Sequence, residues 1–280
     1  MVGSPQRPRF APEPRQVNRE PLLWLLIVPG VVLVVWLVAI VATTDRTIPV
    51  GNVKAFKNVL AVFPHADDET VNCGGTIHRF AADGAALTLL LLTGGERGNP
   101  AGVVDASLRA KRMNEAERVA RILGVSRLIQ QDFGDGMLSQ HRDVVTTYLE
   151  RTIRLIGPDL LLTYDQAGLD GHPDHVACAE MLAELKQRQF PGTALWCTAL
   201  PHRVVGLLKL ARQLHTERAI DQRRASPTLR IFIGPGMIPK IRAWYTYRSQ
   251  RGFIARGFGR VIPAWFAVSA MPFEYFAEVR

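Results

Sequence analysis

VFPHADDETV, residues 62–71, carries an apolar run straight into a histidine and three consecutive acids. Asp67, Asp68 and Glu69 would repel one another in a folded interior, and the stretch itself offers only His65 against them. A positive charge is therefore missing from the covalent chain. An acidic first helical turn is also favoured by the helix dipole alone. The stretch by itself thus leaves capping and function both open.

Working outward, apolar runs alternate with helix-period segments. NVLAVF (58–63), ALTLLLL (86–92), RLIQQ (127–131), DLLLTY (159–164) and ALWCTAL (194–200) read as strands, several of them continuously apolar as buried parallel strands are. Helices are expected over 69–83, 106–123, 141–156 and 174–189, with Gly124 as the stop of the second. Strand and helix in alternation predict an α/β fold with a doubly wound, mostly parallel, Rossmann-like sheet, whose ligands gather at the carboxyl ends of the strands. His65 to Glu69 follow the first strand, and DGHPDH (170–175) follows the fourth after a short loop. Both segments are expected on one rim.

The second segment also has a plain reading, a helix start with Pro173 at the first position and Asp174 in the first turn. Together the two segments say more. Two imidazoles and a carboxylate bind a divalent cation with a position left for water, and a surplus aspartate beside them is a ready base. The residues alone do not choose between Asp67 and Asp68 for that role.

PHADDE (64–69) with TYDQAGLDGHPDH (163–175) resembles the PIG-L/LmbE-like deacetylases, which hydrolyse N-acetylglucosamine-type amides with zinc. The resemblance runs from about Asn58 to Gln250 and takes in LTGGERG (92–98), Arg112, Glu115 and DGM (135–137). It implies that His65, Asp68 and His175 hold the metal, Zn2+ or another divalent ion such as Fe2+, and that Asp67 is the general base. His172 would stabilise the oxyanion and protonate the leaving amine, with Asp174 orienting it. Arg112 and Asp135 would contact sugar hydroxyls or attached groups; a helix-surface ion pair and a turn aspartate are the plain alternatives. Two departures stand out. Pro64-His65-Ala66 replaces the family's A-H-P, and Tyr247-Arg248-Ser249-Gln250 stands where the family has H-x-S-Q.

The chain has 280 residues, 48% of them hydrophobic, and a net charge of +9, which favours an anionic partner or surface. Cys73, Cys178 and Cys197 have no spacing that suggests a disulfide framework or a thiolate zinc site. From Pro21 to Thr44 no residue is charged, and as a helix this run would reach roughly 36 Å, enough to cross a hydrocarbon core. The expected organisation is a disordered basic tail (1–20), a single transmembrane anchor (21–44), a polar linker (45–57) and a catalytic domain (58–280) with a basic, aromatic-rich portion from 202 onward. Arginines ahead of the span lean toward a cytoplasmic N-terminus and an external domain. The basic portion reads either as a surface on anionic lipid or as helices with solvated basic faces. No motif supports nucleic-acid binding, so the expected partner is an amino-sugar substrate, free or lipid-linked.

Two other functions compete. A His/Asp/His set also forms the facial triad of non-haem iron oxygenases, although their β-rich barrel conflicts with this alternation and Asp68 would be idle beside Asp67. A noncatalytic sugar-binding module should have lost some of His65, Asp67, Asp68, His172 or His175, and none is lost.

Overall fold

The structure, a computed structural model, describes residues 20–210, 217–250 and 263–279, and of residues 20–24 and 26 it describes the backbone only. The expected N-terminal tail and parts of the basic stretches, 211–216 and 251–262, lie outside the described residues.

Seven strands form one sheet in the order β3-β2-β1-β4-β5-β7-β6. These are β1 (Asn58–Phe63), β2 (Ala86–Leu91), β3 (Arg127–Gln130), β4 (Leu160–Tyr164), β5 (Ala194–Thr198), β6 (Leu229–Phe232) and β7 (Phe273–Val279). The first five are mutually parallel; β7 runs antiparallel to both β5 and β6. Strand order reverses between β1 and β4, and there the crevice of a doubly wound sheet opens. Alternation along β1 splits the core in two. Val59, Ala61 and Phe63 face α2 (Asp68–Ala82), α3 (Ala106–Leu123) and the later helix over Met237–Thr246; Leu60 and Val62 face α4 (Arg142–Ile156) and, beyond the short turn α5 (Gly168–Gly171), α6 (Pro173–Arg188).

The expected strands and helices are present within a residue or two. Gly124 ends α3 at φ 78°, and Asp105 caps its start by accepting from the Ser107 and Leu108 amides. All three cysteines are buried and free. Beyond β5 come α7 (His202–Leu210), α8 (Arg218–Asp221), α9 (Met237–Thr246) and α10 (Ala264–Ser269). The two antiparallel strands of this portion were not foreseen, because LRIF is short and FEYFAEV breaks its apolar run with two glutamates. One of these, Glu274, is buried. Its carboxylate accepts from the Gly75 and Thr76 amides, where α2 kinks at Cys73, and pairs with Lys240 at 2.6 Å.

α1 (Glu20–Thr43) is a 24-residue helix, and its carboxyl end is fastened to the domain. Tyr275 Oη donates to the Thr43 carbonyl (3.0 Å), Thr43 Oγ1 to the Ala270 carbonyl (2.6 Å) and Trp36 Nε1 to Ser269 Oγ (2.9 Å). Arg203 bonds the Val41 and Thr44 carbonyls, where the helix dipole favours a cation. Residues 45–57, expected as a linker, are packed: Ile48 and Val53 are buried, and the Pro49 carbonyl and Gly51 amide both pair with Arg230. Among the described residues no helix is long and apolar enough to cross a membrane. The unbroken run of described side chains in α1 starts at Ile27, so the expected crossing stands here as a helix with exposed apolar side chains, among them Val31, Leu33, Val34 and Val38.

Replacing Lys240 by Met leaves the buried Glu274 charge without its cation, so chemical denaturation should show a loss of about 3–5 kcal/mol. An unchanged midpoint would show that the pair does not hold α2 to α9.

Candidate active site at the sheet crossover

Asp67, between β1 and α2, takes a left-handed backbone at φ 106°, which costs a non-glycine residue about 1–3 kcal/mol. Its side chain makes no cap hydrogen bond. What holds the turn is Glu69: one carboxylate oxygen accepts from the Asp67 amide (3.1 Å), the other from Tyr247 Oη (2.8 Å) and Thr70 Oγ1 (2.6 Å). Tyr247, the residue in place of the family histidine, is thus fully buried as the brace of Glu69. Asp68 Oδ2 accepts from the His65 amide at 2.8 Å.

The two sequence segments meet. His65 Nδ1 lies 3.2 Å from His175 Nε2; Asp68 Oδ2 is 3.4 Å from the former nitrogen and Asp68 Oδ1 3.3 Å from the latter. A tetrahedral ion with bonds of about 2.0–2.1 Å needs donors about 3.3 Å apart, so the set fits a divalent cation. The outer nitrogens point the same way. His175 Nδ1 meets the Gly168 carbonyl (3.0 Å), and His65 Nε2 meets Asp135 Oδ1 (3.1 Å) and Asp174 Oδ2 (3.2 Å). If each outer nitrogen donates, the facing nitrogens both carry lone pairs. Gly168 is required here: at φ 59°, a Cβ would come within 2.7 Å of the His175 Cβ.

Two other donor groups surround His65, one with His172 and His175 and one with Asp135 and Asp174. The second is already spent. Asp135 Oδ2 accepts from the Arg97 amide, and Asp174 accepts from the Gly136 and Leu138 amides. Asp174 therefore supports His65 with its carboxylate, and its link to His172 is its own amide, which donates to His172 Nδ1 at 3.2 Å. Asp135 likewise turns to His65. Arg112 is buried, donates to the Ala66 carbonyl (2.6 Å) and lies 3.4 Å from Asp67 Oδ1, so its ion pair is an interior one; Asp135 sits in a turn with its carboxylate on His65. The glycines of LTGGERG make its berth, since a Cβ at Gly95 would stand 2.4 Å from Arg112 Nε. Among the described residues, Arg112 Nε and Glu96 Oε2 are buried without a hydrogen-bond partner.

Electrostatics agree with a missing cation. Burial would lower His65, yet its bonds to Asp135, Asp174 and Asp68 raise it well above the usual histidine range. Burial opposes the Asp68 charge as well, but His175 and His65 hold it well below the carboxylate range. His175 is raised to about 9 despite burial, chiefly by Asp68. Both shifts favour the charged imidazoles, so a cation at this place would compete with protons. Burial pushes Asp67 up to about 7, with Arg112 pulling down and Asp68 and Glu69 pushing up. Burial and the two neighbouring imidazoles lower His172.

Tyr247, Glu96 and Glu69 carry weight here that the sequence reading did not assign. Each lay in a segment that the sequence singles out, Glu69 in PHADDE, Glu96 in LTGGERG and Tyr247 in YRSQ, but none showed its partner there. Ser249 in the YRSQ segment also engages, its Oγ donating to Glu115 Oε2 at 2.6 Å.

An α/β domain with this fold and these two segments is of the PIG-L/LmbE kind. Residues 60–186 are a PIG-L family domain, matching the model described as GlcNAc-PI de-N-acetylase. Diacetylchitobiose deacetylase of Thermococcus kodakarensis is 38% identical over 125 residues, 42% of this chain and 45% of that protein. The chain spans about half the length of the curated relatives it matches. Among solved structures, N,N'-diacetylchitobiose deacetylase of Pyrococcus horikoshii aligns over 95% of this chain and 94% of its own, with TM-score 0.57 and 22% identity. The 4-carboxy-2-hydroxymuconate hydratase of Pseudomonas putida aligns over 80% and 96%, with TM-score 0.58 and 20% identity. These structural likenesses define the fold, and one fold hosts more than one reaction.

Zinc titration discriminates among the donor sets. Asp68→Ala and His175→Ala should each weaken zinc binding at least about a hundredfold, while His172→Ala leaves it within about threefold. Zinc binding at pH 7 should release about two protons, read from calorimetry in buffers of different ionisation enthalpy. Loss of zinc in His172→Ala with retention in Asp68→Ala would reverse the assignment.

Proposed function

We propose that the protein is a metal-dependent deacetylase that hydrolyses the acetamide of an N-acetylglucosamine-type substrate to a free amine and acetate. The observation that carries this reading is the trio His65, Asp68 and His175 at mutual separations of 3.2–3.4 Å, with a second aspartate left over beside it. The PIG-L domain and the deacetylase named among its relatives support the substrate class.

A divalent cation, zinc or Fe2+, bound by His65 Nδ1, His175 Nε2 and Asp68 would supply Lewis acidity and acidify a water. Asp67 takes that water's proton; its backbone is fixed through Glu69 and its carboxylate lies beside Arg112. His172 receives the Asp174 amide at Nδ1, which leaves its proton on Nε2, free to bond the acetamide oxygen as charge develops there. The proton held by Asp67 is returned to the departing nitrogen. Arg112, beside Asp67 Oδ1, is the residue placed to contact the sugar or its attached groups.

We also infer that α1 anchors the domain to a membrane, with the N-terminus cytoplasmic and the domain outside. Its exposed apolar side chains around the helix support this, because such a helix is stable only when something apolar covers it.

Acetate release from N-acetylglucosaminides by the zinc-loaded protein should stop with chelator and fall by at least about 10³ in Asp67→Asn, which keeps zinc. Full turnover by Asp67→Asn would remove Asp67 as the base, and oxygen consumption without acetate would favour an oxygenase. Tyr247→Phe should lower kcat about tenfold with KM unchanged, by loosening Glu69. For the anchor, the full chain should stay with membranes through alkaline carbonate while a chain begun at Asp45 is released; release of both would refute it.

A further inference from the structure

Next to the donor trio, on the same rim of the sheet, a cavity of about 230 Å³ lies among the ends of β4, β5 and β7 and the carboxyl end of α1. Asn72 and Leu169 form its wall toward the trio. Asn72 stands one turn beyond Asp68 on α2 and donates to the Asp68 carbonyl (2.7 Å) and the Tyr164 hydroxyl (3.0 Å). The Tyr164 ring stacks on His175 with centroids 4.3 Å apart. Leu169 follows Gly168, the residue whose carbonyl holds His175, and is itself pinned at φ 64°. The cavity therefore adjoins the supports of two of the three donors.

Its chemistry is apolar. Leu200, Val204, Leu208 and Val268 line it. The charged groups in its wall are already matched within the protein: Lys240 with Glu274 (2.6 Å), Arg224 with Asp221 (3.0 Å), and Asp165 with the Ala167 and Ala225 amides. An ionic or hydroxyl-rich guest would have to break these pairs, whereas a hydrocarbon guest would not. Thr43 at the end of α1 also lines the cavity, and Val38 and Val41 on the same helix and Leu207 and Leu210 on α7 have exposed apolar side chains. The helix with the exposed apolar side chains thus ends at the cavity wall.

We infer that this cavity is a subsite for a hydrocarbon chain joined to the amino sugar whose acetamide faces Asp67. The inference rests on the deacetylase reading and adds to it the class of aglycone. The cavity gives affinity through burial of methylenes and sets the sugar's position by tethering it from the side of α2.

The test compares methyl and decyl N-acetylglucosaminides, each below its micellar concentration, with the full-length zinc-loaded protein in amphipathic polymer. kcat/KM for the decyl glycoside should exceed that for the methyl glycoside at least about tenfold. Leu208→Trp and Val268→Trp, which fill the cavity, should bring the decyl value to within about twofold of the methyl value and leave the methyl value unchanged. A decyl analogue with a terminal diazirine should label residues 198–208 or 265–275, and unlabelled decyl glycoside should compete. Equal kcat/KM for the two glycosides, a preference that survives both tryptophans, or labelling confined to α1 outside the cavity would overturn the inference. If neither glycoside is hydrolysed, the deacetylase reading fails, while labelling still decides the subsite: label in the cavity upholds it and label only elsewhere refutes it.

Discussion

Two imidazole nitrogens held 3.2 Å apart, with an aspartate across both of them, form the constraint around which the rest of the rim is arranged. Nitrogens that both carry lone pairs repel, and so do the acids beside them; a divalent ion, or protons in its absence, relieves the strain. Everything one layer out serves to keep that arrangement in place. Asp135 and Asp174 fix one ring, the Gly168 carbonyl fixes the other, and backbone amides of the 97, 136 and 138 positions fix the aspartates. A site supported this densely belongs on rigid elements, and its three donors issue from the carboxyl end of a parallel strand or the first turn of a helix that follows one.

Much of this was legible in sequence because it is local. Buried parallel strands are written as unbroken apolar runs, and helices with a proper cap and a glycine stop announce both ends, as α3 does with Asp105 and Gly124. The two metal-fitting segments were visible because each is contiguous and sits beside a strand end. What could not be read is whatever depends on a partner far along the chain. Tyr247 reaches Glu69 from 178 residues away. Asp174 looked like an orienter of its neighbour His172, but only the three-dimensional fold brings His65 nearer to its carboxylate. β6 and β7 escaped for a related reason. These antiparallel strands draw their register from the strands beside them, and in β7 a buried glutamate, matched by Lys240, removes the alternation that would have marked it.

The same logic explains the connection after α1. Residues 45–57 have the polar composition of a spacer, yet Arg230 and Tyr275 take up their backbone groups, so the domain is held close to the helix. A helix that was free to swivel would leave the apolar rim at α7 and α10 with no fixed relation to the site. One fastened through Arg203, Ser269 and Ala270 presents the site and its neighbouring cavity in a set orientation to whatever covers α1.

Diffraction from crystals grown with zinc, recorded on both sides of the zinc absorption edge, addresses the central claim most directly. A single anomalous peak within bonding distance of His65 Nδ1, His175 Nε2 and an Asp68 oxygen, with Asp67 outside that distance, is the predicted result. A peak bonded to His172 or to the Asp135 and Asp174 pair, or no peak between the two facing nitrogens, would contradict it.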